Sequence, residues 1–302
     1  MLAKAAARSL AARNIHYGWL MVLLTFLYGV SSAGAMSIPG VLLMPMSHDL
    51  GWTIGDLSGP LGLRVTLYGL AAPFAGGLIL LYGVRRVLSA SAILLVAGLI
   101  ISITMTTKWQ LWLGLGVAMG VAPGLAALVL SATVSTRWFT ARRGLVLGVL
   151  GAGNATGQMI FLMPTAWITE HYGWRTALVP PAIVIALLGV LFVLFSVERP
   201  ADINLAPYGE DKIGATPPRP TGNAFVLSFN ALGLGMRSLV FWVLAFTFGI
   251  CGVSSLGLMP HFVTLCGDYG ISSITSTNAQ PFAWKKKKIR QGRCKGRRIT
   301  QL

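Results

Sequence analysis

Seven long apolar runs without charge divide this chain, and they leave it few folds. They are Gly18 to Leu43, Leu57 to Val84 (interrupted by Arg64), Val87 to Thr107, Trp109 to Thr136, Gly144 to Thr169, Thr176 to Val197 and Ser238 to Gly267. Each reaches the roughly 20 residues a helix needs to cross about 30 Å of hydrocarbon. In lipid, unpaired backbone groups are too costly for any spanning structure but a helix or a closed barrel. None of the runs shows the alternation of a barrel strand, so the expected class is an all-α integral membrane protein. Composition agrees: 55% of residues are hydrophobic and 11% charged, where soluble domains carry about a quarter charged.

The formal charge of +16 would suggest nucleic acid in a soluble protein, but nine of the 24 Lys and Arg lie between Lys285 and Arg298. The others follow topology. Lys4, Arg8 and Arg13 precede the first run, Arg85 and Arg86 follow the second, and Arg137, Arg142 and Arg143 follow the fourth; Arg199, Lys212, Arg219 and Arg237 follow the sixth. All fall on one side, and the opposite side holds only Lys108 and Arg175. The positive-inside rule therefore places the N-terminus and the loop after the sixth run in the cytoplasm; the membrane expected is the cytoplasmic (inner) one. Lys4 to Arg13, the apolar run and Ala33-Gly34-Ala35 also look like a signal peptide. Apolar sequence continues to Leu43, so the first helix is read as an uncleaved signal.

Enzyme chemistry finds no footing. Cys251, Cys266 and Cys294 have neither paired nor zinc-type spacing, and His16, His48, His171 and His261 are scattered. Phosphate-loop, dinucleotide and nucleophile-elbow motifs are absent, and no cofactor or metal is expected. Small residues mark packing faces instead: Gly116, Gly120 and Gly124 in the fourth run, Gly144 with Gly148 and Gly153 with Gly157 in the fifth.

Gly76-Gly77-Leu78-Ile79-Leu80-Leu81-Tyr82-Gly83-Val84-Arg85-Arg86 resembles the G-x-L-x-D-R-x-G-R-R signature of the major facilitator superfamily, matching at Gly76, Leu78, Gly83 and Arg85. Leu80 and Leu81 replace its acid and following base, and leucine cannot make the charge contacts the resemblance assigns to that acid. Arg137 to Gly144 (with Arg142 and Arg143), Tyr172 to Arg175, Arg199 to Asp202 and Pro207 to Glu210 are also similar to this superfamily. With His16-Tyr17-Gly18-Trp19, their style resembles the bacterial branch of oxalate/formate and monocarboxylate-type carriers.

The resemblance implies twelve helices in two six-helix halves around a central cavity, moving a small solute, with an organic anion or monocarboxylate as its class, by alternating access. The expected organisation is a cytoplasmic N-terminus (1–16), a six-helix N-terminal half (17–197), a cytoplasmic loop (198–237), a seventh helix (238–267) and an aberrant basic tail (268–302). Within the loop, Lys212 to Pro220 reads as a proline-rich linker and Phe225 to Met236 as a short interfacial helix. Where an eighth helix would start, Gln280 to Leu302 offers a polybasic cluster, which seven spans would place outside, against the positive-inside rule. The reading is a carrier truncated after its seventh helix by a frame shift near Asn278 to Trp284, needing a second half or second copy to complete the cavity. The alternative is a non-transporting fragment of a full-length carrier.

Polar groups at membrane depth are the candidate solute contacts. Arg64, near the outer end of the second run, could attract an anion, snorkel to the interface or pair with Asp56. Asn154 and Gln158, four apart on the fifth run, share a face and could bind solute or stitch helices. Tyr28, with Ser31 and Ser32, poses the same alternatives on the first run.

Overall fold

The computed structural model describes residues 7–10, 12, 16–210 and 222–252. Lys4, Arg13, the proline-rich linker, the distal part of the expected seventh span and the basic tail lie outside the described residues. Among the described residues, six helices are long and apolar enough to cross a membrane: α1 (Tyr17–Leu50), α2 (Ile54–Tyr82), α3 (Val84–Ile103), α4 (Lys108–Trp138), α5 (Arg143–Tyr172) and α6 (Trp174–Phe195). Among the described residues there is no strand, only an isolated bridge between Phe139 and Tyr208.

Helix boundaries follow local chemistry rather than the limits of the apolar runs. α1 continues through Pro45, His48 and Asp49 and stops at Gly51, whose φ of 65° makes it a left-handed cap. α2 starts before its apolar run because Thr53 and Asp56 form a capping box. Arg64 therefore lies ten residues, about 15 Å, inside α2, one turn from its centre rather than near its end. α4 contains a π-helical segment, Trp112–Ala118, followed by Pro123.

α1 packs along α5, α2 along α4, and α3 against both α6 and α4. Glycine closes several of these seams, including Gly98 and Gly114 between α3 and α4. A Cβ on Gly120 would lie 2.8 Å from the Arg64 carbonyl oxygen, and one on Gly124 would lie 2.7 Å from that of Tyr68. On α5, Gly157 faces the Val30 backbone and Gly153 the Phe26 ring. Gly144 and Gly148 have nothing within 4 Å of a built Cβ, so that pair seals no contact among the described residues. It shares the spacing of the packing glycines but faces away from the bundle.

The bundle has two large apolar clusters, beside a small one of Val41, Leu162 and Ala166 between α1 and α5. One, at the end carrying the N-terminus, contains Tyr17, Met21, Leu88, Trp138, Phe139 and Phe192. The other, at the far end, contains Leu42, Leu57, Leu99, Leu111, Trp174 and Ile185. α2 and α5 are the spans buried least, and their outer faces expose Leu70, Leu80, Leu145, Met159, Met163 and Trp167. Such faces suit lipid or another helical body and not water.

The stretch 198–237 is more than a linker. Its first part, including a 3-10 turn at Pro200–Ile203, returns to the bundle through Tyr208. Its last part forms α7 (Ala224–Met236), which packs on α2: a Cβ on Gly77 would meet the Ala224 carbonyl oxygen at 2.7 Å, and Phe74 contacts the rings of Phe225 and Phe229. A break at Arg237 and Ser238 turns the chain by 100° into α8 (Leu239–Gly252), the described start of the expected seventh span. None of the residues of α8 is buried.

Candidate functional site

Three of the four candidate solute-contacting residues come together. Tyr28, Asn154 and Gln158 line one cavity between α1, α2, α4 and α5, with Thr25, Ser32, Met36, Tyr68 and Pro123 among the remaining lining residues. Its volume of about 30 Å³ holds a water or two. This is a contracted site.

The two amides on α5 are half-buried, and neither side chain has a hydrogen-bond partner among the described residues. An amide that stitched helices together would show an interhelical bond. Gln158 takes part in one through its backbone alone, whose carbonyl oxygen accepts from Ser37 Oγ at 3.4 Å. Both side chains keep their donors and acceptors for whatever occupies the cavity.

Tyr28 is placed differently. Ser91 Oγ donates its only hydrogen to the Ala122 carbonyl oxygen at 2.6 Å, so in the 2.9 Å contact between Tyr28 and Ser91 the phenol is the donor. The relay joins α1, α3 and α4 and leaves Tyr28 only acceptor capacity toward the cavity. Thr25 Oγ1, on the same face of α1, is buried without a partner. Ser31 is turned aside and bonds the Leu27 carbonyl of its own helix.

Arg64 does not line the cavity, but Tyr68, one turn along the same face of α2, does. Arg64 is 4% exposed, which excludes snorkelling. Pairing with Asp56 fails as well, because Asp56 binds Lys108 Nζ at 2.9 Å and caps its own helix. Arg64 Nε and one terminal nitrogen are buried without a hydrogen-bond partner among the described residues. A guanidinium in that state is among the costliest groups a protein can retain.

The two ends of the bundle are fastened separately. At the N-terminal end, segments far apart in sequence form one aromatic clamp. His16 shares a hydrogen bond with the Ala206 carbonyl at 3.0 Å, and Tyr17 Oη donates to the Phe195 carbonyl at 2.5 Å. The Tyr208 backbone donates to Trp138 and accepts from Thr140 and Ala141. Its ring packs on His16, Trp19 and Phe139. At the far end, Asp49 accepts from Trp174 Nε1 at 2.9 Å and from Arg175 at 2.5 Å, joining α1 to α6. Lys108 and Arg175, the two described cations of that end, are thus both neutralised by acids.

The signature-like residues line the clamped end without a common contact. Gly76 is open, and Leu78 packs against the apolar cluster. Gly83 turns the chain with φ 87°, and the Glu198 carboxylate sits against its Cα. Arg85, Arg86 and Arg142 are exposed, with Arg142 in a left-handed conformation at the start of α5. Arg143 donates to the Phe139 and Thr136 carbonyls and so caps the C-terminal end of α4.

The sequence profile of the Major Facilitator Superfamily matches residues 21–283. The chain belongs to that superfamily. Among curated relatives, mouse monocarboxylate transporter 9 is 27% identical over 201 residues, covering 64% of this chain and 37% of the relative. The MFS-type transporter hasB of Aspergillus fumigatus is 27% identical over 257 residues, covering 82% of this chain and 55% of the relative. Mouse monocarboxylate transporter 11 is 25% identical over 269 residues, covering 87% and 56%. The chain thus spans about half the length of these major facilitator relatives or less. The relatives with which it shares that superfamily are named as transporters.

Proposed function

We propose that this chain forms one half of a secondary active carrier that moves a small organic anion, a monocarboxylate by class, by alternating access. One observation carries the reading: a cavity in an otherwise apolar bundle is lined by two amides with unused hydrogen-bonding capacity, Asn154 and Gln158. Polar groups at such depth are costly unless they meet a ligand or one another. The names of the monocarboxylate transporters among the relatives support the solute class. The exposed outer faces of α2 and α5 support a second six-helix half, or a second copy, closing the cavity. An inner-membrane location with the N-terminus inside is supported by the cations at the clamped end, Arg85, Arg86 and Arg142, against the neutralised pair at the far end.

Flux tests it. The chain, alone and with a separately expressed second half from a full-length relative, is reconstituted in proteoliposomes, and uptake of labelled lactate under an imposed pH gradient is followed. Uptake that falls at least about tenfold in Asn154→Ala and Gln158→Ala at unchanged protein content supports the reading. No uptake by either assembly, with the chain folded, refutes it and leaves the fragment alternative.

A further inference from the structure

The chain has eight acidic residues: Asp49, Asp56, Glu170, Glu198, Asp202, Glu210, Asp211 and Asp268. Asp49 and Asp56 are held at the far end by Arg175 and Lys108, and Glu170 lies in the last turn of α5 at that end. Glu198, Asp202 and Glu210 follow α6 at the clamped end. None of these described acids lies in the middle of the bundle. Arg64 is there, one turn from the centre of α2, 4% exposed, with two nitrogens lacking partners. A purely structural cation would have been given an acid or a set of carbonyl oxygens. Arginine also resists the usual escape of losing its proton.

Geometry links this cation to the cavity. Tyr68 lines the cavity one turn from Arg64 on the same face, an axial separation of about 6 Å. α4 comes close at this level, because Gly120 faces the Arg64 backbone. Thr25 Oγ1, the other buried cavity-side group without a partner, lies on α1.

We propose that Arg64 is an anion subsite on the far-end margin of the cavity, closed in this conformation and taking a single carboxylate when the bundle opens. It rests on the carrier reading only for its connection to a path; anion binding needs no flux. One uncompensated cation matches one negative charge, and its planar fork fits a carboxylate through two parallel hydrogen bonds. An acidic side chain from a second half could supply the same group, and the experiment separates the two sources.

The purified full chain in nanodiscs is heated with and without acetate, with acetamide as the neutral isostere, for wild type, Arg64→Gln and Arg64→Lys. The expected result has three parts. Acetate raises the wild-type unfolding temperature and acetamide does not; Arg64→Gln weakens the acetate response more than about tenfold in apparent affinity; and without acetate Arg64→Gln unfolds at a higher temperature than wild type, because an unpaired buried charge has gone. Arg64→Lys keeps the charge without the fork and retains part of the response. Arg64→Gln unfolding at a lower temperature, with no acetate effect in wild type, makes Arg64 a structural cation and overturns the proposal. If Arg64→Gln is stabilised but wild type ignores acetate, the counter-charge is protein, and the small-anion subsite is overturned too. Loss of lactate flux with an intact acetate response would sink the carrier reading and leave the subsite standing.

Discussion

Replacing Gly157 by alanine tests the claim that α1 and α5 meet backbone to backbone. A Cβ at this position would lie 2.7 Å from Val30 Cα and 2.8 Å from its carbonyl carbon. The Val30 carbonyl oxygen is closer still, so restoring an ordinary contact of 3.4 Å forces the two backbones apart by more than about 0.7 Å, and overpacking of this kind costs about 1–3 kcal/mol. Alanine also favours a helix over glycine by about 0.5–1 kcal/mol, which would blur the result for one variant alone. Gly148 removes that ambiguity. It lies on the same helix with nothing within 4 Å, so Gly148→Ala carries the propensity gain without the clash. The difference between the two variants isolates the clash and is expected at about 1–3 kcal/mol, with Gly157→Ala the less stable. Thermal unfolding in one detergent, followed by tryptophan fluorescence and by loss of monodisperse protein, measures it. Equal stability of the two variants would refute the packing assigned to this seam.

Two further substitutions probe the bundle's polar and backbone devices. Gly83→Ala places a side chain at φ 87° and drives it into the Glu198 carboxylate, so a loss of about 1–3 kcal/mol is expected in the same unfolding assay. Tyr28→Phe removes the donor to Ser91 while leaving the bond from Ser91 to Ala122, and is expected to cost about 0.6–1.7 kcal/mol; a larger loss of flux than of stability would give the phenol a part in solute binding as well.

The spans were legible because length without charge admits one structure in lipid, and the glycine spacing announced two of the helix seams. The depth of Arg64 was not read correctly from the apolar run alone. Thr53 and Asp56, at capping-box spacing, already marked an earlier helix start and were the signal to use. Asn154 and Gln158 stood out as polar residues on one face of an apolar helix, whereas Thr25 and Tyr68 belong to types common in any membrane helix. Their convergence depends on how four helices cross, which no single helix records. The same is true of the clamp: His16, Trp138 and Tyr208 lie in motifs that could be recognised singly, but nothing in their spacing shows that they touch. The break before α8 was legible, because Arg237 divides the expected interfacial helix from the seventh run, whereas its angle of 100° depends on how α7 packs on α2.

The glycine seams also decide where this bundle can yield. α1 with α5 and α2 with α4 meet at glycines, backbone against backbone at Gly157, Gly120 and Gly124, so each pair packs as a stiff plank. The cavity takes Tyr28, Ser32, Asn154 and Gln158 from one plank and Tyr68 and Pro123 from the other. The cavity therefore lies on the line between the two planks, where a relative slide would widen it. The Tyr28–Ser91–Ala122 relay crosses that line by way of α3 and ties the two planks together beside the cavity.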